Sequence, residues 1–239
     1  MLNVIKLLLL WLALNLVSGV VAGALFSPFK GIPGLREHAL FLIKSMLGVG
    51  LFYYLLQTSG KAAVVKIFSG FIEEPRAILG KAAKFFLLYL SAFTVVVLGV
   101  ISVVYALSLV SGAAVDSIPG ILRPSADFER FGELRMAAFG GVALYFAGVC
   151  VLTPLIEEVF YRRLLYSEIR KYYGLVISIT VSALVFGVFH PNLLVAVIDG
   201  AFLCYVYEKE QSLQVNVLLH AFLNVFFVLL MLAIKHVVF

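Results

Sequence analysis

Apolar residues in this chain do not alternate with polar ones. They come in long unbroken runs separated by short polar stretches. A run of roughly 20 apolar residues is what a helix needs to cross the hydrocarbon core of a bilayer. The runs predict spans at 4–26, 39–58, 85–110, 136–156, 175–189, 193–207 and 215–234. Backbone groups in lipid must be satisfied internally, so helices and closed barrels are the available spanning structures, and these runs are too long and continuous for barrel strands. The expected fold is all-α: a polytopic transmembrane helical bundle of about seven or eight helices.

The interruptions are informative. Pro28, Gly31, Pro33 and Gly34 mark a first loop. The stretch 59–84 is mixed and basic, and reads as an amphipathic segment at the membrane interface. The stretch 111–135 carries Pro119, Gly120 and Pro124 with most of the loop acids, and reads as the longest polar connection. Residues 157–173 follow a span with no turn signal, and mix Glu157, Glu158, Arg162, Arg163, Glu168, Arg170 and Lys171 with apolar positions. They are expected to form a helix leaving the membrane toward water.

Composition agrees with the pattern: 63% of residues are hydrophobic and 13% charged, about half the charged share of a soluble domain. The net charge of +5 does not point to nucleic acid, because the basic residues cluster in loops. There they fix orientation and meet anionic lipid. With seven spans, the side holding the N-terminus has eleven Lys and Arg against six on the other, which places the N-terminus in the cytoplasm. The first run follows Lys6 and ends near an Ala-Gly-Ala, but it exceeds a signal-peptide core and reads as the first membrane helix. Cys150 and Cys204 lie in apolar runs and read as buried free thiols.

Ionisable groups at membrane depth are costly and mark function by default. Three sets stand out, all in the last third. Glu157 and Glu158 open the first, with Arg162 four residues beyond Glu158, so that Glu158 and Arg162 face each other on a helix. Glu157 is rotated away by about 100° and stays free; Pro154 just upstream is placed to bend the helix. The second is FGVFH, ending at His190. The third is His220 and Asn224, on one face of the last run. Each set alone has an ordinary explanation: a surface ion pair, a helix-end histidine, interhelical hydrogen bonds. Together they suit addition of water to an acyl carbon. A glutamate deprotonates water, a histidine shares it, and a His/Asn pair stabilises the oxyanion. No serine or cysteine forms a recognisable nucleophile motif. Glu157, His190 and His220 would also make a zinc ligand set, but no HExxH pair is present and an asparagine donates better than it ligates. The metal-free reading is preferred, with no cofactor required.

EExxxR, FxxxH and HxxxN in this order resemble the CPBP family, also called the Abi or CAAX-protease family, over roughly residues 154–226. The family includes proteases that trim prenylated CAAX proteins and bacterial members tied to peptide processing and bacteriocin immunity. The resemblance implies that Glu157 activates water with His190, that Glu158 and Arg162 support them, and that His220 and Asn224 form the oxyanion site. It implies two parts of one membrane domain, N-terminal helices over 1–135 and a catalytic core over 136–239. It further implies an intramembrane endopeptidase acting near the C-terminus of a membrane-anchored or lipidated protein or peptide.

Stated plainly, the expected setting is the lipid bilayer of a prokaryotic inner membrane, with no nucleic-acid partner. Two other readings compete. One is a non-catalytic immunity or binding protein on the same scaffold, which the intact polar set argues against. The other is a small transporter with a proton relay, which would need inverted repeats or paired broken helices that the sequence does not display. Several polar positions fall outside the three sets. Glu73-Glu74 is followed by Pro75 and Arg76 and reads as interfacial. Asp199 lies within the sixth run, where it either lines the cavity or pairs with a neighbouring helix. His38 and His236 sit at span ends.

Overall fold

The computed structural model describes residues 2–29, 35–111, 139–190 and 192–238. The described residues form helices and their connections, with no strand among them. We number the helices α1 (Leu2–Phe26), α2 (Leu35–Glu73), α3 (Pro75–Ser111), α4 (139–170), α5 (Leu175–Val188), α6 (Leu193–Glu210) and α7 (Leu213–Val238). The expected polar connection over 111–135 lies almost wholly outside the described residues, as does most of the first loop.

Among the described residues, five helices are long and apolar enough to cross a membrane: Asn3–Phe26, Ala39–Glu73, Pro75–Leu107, Ala143–Arg170 and Leu213–Leu230. Their outward faces are apolar and exposed, as on Val95, Val20 and Leu9, which is what a lipid-facing surface requires. The expected fifth and sixth spans differ from this. At 1.5 Å per residue, the 14 residues of α5 reach about 21 Å, short of the roughly 30 Å hydrocarbon core. The 18 residues of α6 carry Asp199 and a charged end. These two helices pack on each other as a hairpin, with an exposed apolar outer face at Val176, Val188, Leu194 and Ile198 and His190 at its tip.

Two other boundaries moved. The mixed stretch 59–84 is helical: α2 continues past a break at Gly60, whose φ of 78° only glycine adopts cheaply, and α3 begins at Pro75. Residues 157–170 do not form an exposed stem. They continue α4 and are largely buried, including Glu157, Glu158 and Arg162.

One apolar core joins Trp11 of α1, Leu47, Leu51 and Leu55 of α2, Phe160 and Leu165 of α4, and Phe186 of α5. Trp11 stacks on Phe160 with ring centroids 4.2 Å apart and donates its indole N–H to the Tyr161 hydroxyl at 3.0 Å. A second core joins α3, α6 and α7 through Phe85, Leu203 and Leu219. Cys150 and Cys204 are buried and free. Close approach of α5 and α6 depends on small residues: a Cβ on Gly200 would stand 3.2 Å from Ala183 Cα and 3.1 Å from Phe186 Cδ1.

Candidate active site

The site is built where α4 passes through the middle of the bundle. That helix alternates between ordinary and widened turns: residues 147–152 and 159–166 are π-helical, and Thr153–Glu158 between them is α-helical. Pro154 supplies part of the reason. It has no N–H to give to the carbonyl four residues back, and a π segment directly upstream absorbs the shift in register. Glu157 and Glu158 close the short α segment and are both buried.

The two glutamates have separate surroundings, as their 100° rotation demands. Glu158 is fully buried. Its Oε1 is 2.9 Å from Arg162 Nη1, and that side chain too is fully buried. The same oxygen accepts from His220 Nδ1 at 2.8 Å, and Oε2 accepts from Asn216 Nδ2 at 3.1 Å. Arg162 also donates Nη2 to the Gly200 carbonyl at 3.2 Å and lies over the Phe186 ring, 4.8 Å from its centroid. A carboxylate with this many partners can sit in an apolar interior, and it ties α4, α5, α6 and α7 together.

Glu157 is different. Its Oε1 accepts from Lys44 Nζ of α2 at 3.1 Å. Its Oε2 is buried without a hydrogen-bond partner and faces two imidazoles, His190 Nε2 at 3.6 Å and His220 Nε2 at 4.0 Å. The other nitrogen of each ring is engaged. His190 Nδ1 is 2.7 Å from the Phe186 carbonyl, an acceptor, so Nδ1 carries the proton and neutral His190 turns a lone pair toward Glu157. The Phe186 ring lies against the His190 imidazole at 4.1 Å between centroids. His190 and Lys44 are the open edge: their side chains are 27% and 29% exposed, against 6% for Glu157.

Asn224 lies one turn beyond His220 on α7 and donates its amide to the Val149 carbonyl, in the first π segment, at 2.7 Å. Thus Glu157, Glu158, Arg162, His190 and His220 are brought together directly, while Asn224 is bound to the backbone of α4. Asp199 pairs with a neighbouring helix, accepting from the Tyr89 hydroxyl of α3. Two residues at the site were not singled out from the sequence, Lys44 and Asn216. Lys44 carried a readable signal, a single charge in the middle of the second apolar run. Asn216, four residues before His220, sits on the same face as His220 and Asn224.

Among the described residues, no three His, Cys, Asp or Glu side chains are grouped to hold a metal ion. The Lys44 ammonium against Glu157 adds a positive charge where a dication would need to bind.

The described residues form a helical membrane bundle with a buried glutamate facing two histidines, and comparison with known families adds a similarity over part of the chain. Residues 139–226 match the family model described as type II CAAX prenyl endopeptidase Rce1-like. The matched segment contains all three motifs and bears out the CPBP family resemblance. The match covers residues 139–226 alone and makes that segment similar to a CAAX-type intramembrane protease; the long apolar helices mark the chain as an integral membrane protein. No curated protein and no solved structure matches the chain.

Proposed function

We propose that this protein hydrolyses a peptide bond near the C-terminus of a membrane-anchored protein or peptide, with Glu157 as general base. The observation that carries the reading is the pair of acceptors, Glu157 Oε2 and His190 Nε2, facing each other 3.6 Å apart. That spacing is long for a direct hydrogen bond and suits one water donating a hydrogen to each. Such a water presents its oxygen lone pair to an incoming carbonyl. Attack forms the C–O bond and passes a proton to Glu157; collapse breaks the C–N bond as that proton goes to the leaving amine.

The oxyanion falls to His220 and Asn224. His220 donates Nδ1–H to Glu158, so it donates from Nε2 only as an imidazolium. Lys44 and Arg162 already balance the two carboxylates. The other ring nitrogen of His220, Nε2, is the edge that faces the reacting groups, 4.0 Å from Glu157 Oε2. Asn224 would contribute its second amide hydrogen. No metal or cofactor enters this scheme, and Lys44 beside Glu157 supports leaving zinc out. The substrate would enter at the edge marked by His190 and Lys44. The Lys and Arg distribution supports a cytoplasmic N-terminus; a prokaryotic inner membrane is the proposed location.

The test is cleavage of lipidated and transmembrane C-terminal peptides by protein in liposomes, with wild type, Glu157→Gln and His220→Ala, each with and without a zinc chelator. Cleavage by wild type that survives chelation and is lost in both variants supports the proposal. Loss on chelation refutes the metal-free scheme, and equal cleavage by all three refutes the site.

A further inference from the structure

We infer that Lys44 is a positioning residue for Glu157, supplied by a helix outside the segment that matches the family. The inference rests on the protease reading above. A glutamate carboxyl rotates easily about its last bond, whose preferences are broad and two-fold, so its oxygens exchange unless one is held. Lys44 holds Oε1 at 3.1 Å, which leaves Oε2 alone to face His190 and His220. Among the described residues no other takes that part: Arg162 is committed to Glu158 and Gly200, and His190 and His220 meet the opposite oxygen.

The approach of α2 to α4 is built for this contact. Gly48 is one turn after Lys44 on the same face. A Cβ there would stand 3.2 Å from Ile156 Cδ1, so the Ile156 side chain seats over the bare glycine, immediately before Glu157 in the chain. Leu47, Leu51 and Leu55 anchor this part of α2 in the main core. The N-terminal half therefore does more than wall the site; it sets which oxygen of the base meets the water.

The experiment combines kinetics with stability. Lys44→Met is expected to lower kcat on the order of 10²-fold with KM nearly unchanged, the scale of a misplaced reacting group, and Lys44→Arg to restore most of it. Gly48→Val, which separates α2 from α4, should lower kcat in the same way. A fall in KM affinity with kcat intact, or no fall at all, overturns the inference. Independently of activity, melting of Lys44→Met, Glu157→Gln and the double variant in detergent tests the pair. Coupled partners give a double variant less destabilised than the sum of the singles; additive shifts overturn the pairing. If wild type cleaves nothing in the panel, the protease reading is what fails, and the melting cycle alone decides the Lys44–Glu157 pair.

Discussion

Replacing Arg162 by methionine should destabilise the fold more than any other single change in the polar cluster. The guanidinium is fully buried, 2.9 Å from Glu158 Oε1 and 3.2 Å from the Gly200 carbonyl. Methionine fills much of the volume but leaves Glu158 charged in an apolar interior with only His220 and Asn216 as partners. Removing one member of a buried ion pair costs about 3–5 kcal/mol, and the two surviving hydrogen bonds favour the lower end. At about 2–4 °C per kcal/mol for a chain of this size, 3 kcal/mol lowers Tm by roughly 6–12 °C. Thermal unfolding in detergent measures this directly. Adding Glu158→Gln should recover part of the loss, because the uncompensated charge is then gone. Arg162→Lys should not recover it, since an ammonium cannot reach two acceptors and stack on Phe186 together. A Tm within 2 °C of wild type for Arg162→Met, on the same scale, would show that Glu158 is not held as an ion in the interior.

Three further outcomes follow from single contacts. Gly200→Val should push α5 away from α6 and draw the Gly200 carbonyl off Arg162, lowering both Tm and activity; wild-type melting would contradict the close approach at Ala183. Trp11→Phe keeps the ring stack but loses the hydrogen bond to Tyr161, and should cost about 1 kcal/mol in detergent unfolding. Glu208, at the end of α6, has its carboxyl held below the usual range, chiefly by the hydrogen bond from the Tyr166 hydroxyl at 2.7 Å and then by Arg170. A depressed carboxylate stabilises above its unfolded pKa of about 4.3 and loses that contribution as pH falls through its folded value. The Tm advantage of wild type over Glu208→Gln should therefore be full at pH 7 and vanish in strong acid; an advantage that persists there would contradict the linkage.

The helices were legible because hydrocarbon tolerates so few sequences: each long apolar run lies within a helix or largely overlaps one, although the second, third and fourth helices extend 10 to 15 residues beyond the expected spans at one end. The exceptions have physical causes. An apolar run does not distinguish a helix that crosses the bilayer from one arm of a shorter hairpin, so α5 and α6 read as full spans although α5 is too short. The charges after Glu157 read as an exposed stem because a sequence does not show that Glu158 and Arg162 will satisfy each other out of water. The spacing of four between them was enough to foresee the pair and to separate Glu158 from Glu157. What spacing within one helix cannot supply is contact between helices. That His220 would turn Nδ1 to Glu158, or that Asn224 would bind the Val149 carbonyl, depends on how α7 meets α4. Lys44, 113 residues from Glu157, was visible as an anomaly but not as a partner.

The charges at this site are arranged as two nested pairs rather than one cluster, and the difference has consequences for chemistry. Glu158 with Arg162 is closed: both side chains are inaccessible, and the guanidinium, the His220 imidazole and the Asn216 amide leave the carboxylate no free role. Glu157 with Lys44 is half open, one oxygen bound and the other bare. Burying two carboxylates without cations would make each suppress the ionisation of the other. Giving each its own cation, Lys44 for Glu157 and Arg162 for Glu158, relieves that conflict. The closed pair also fixes His220 through Nδ1, and so sets where its Nε2 lies relative to Glu157. On this argument the second glutamate of the EE motif acts through the histidine it orients and through its ion pair. Its loss should disturb the position of His220 as well as the stability of α4.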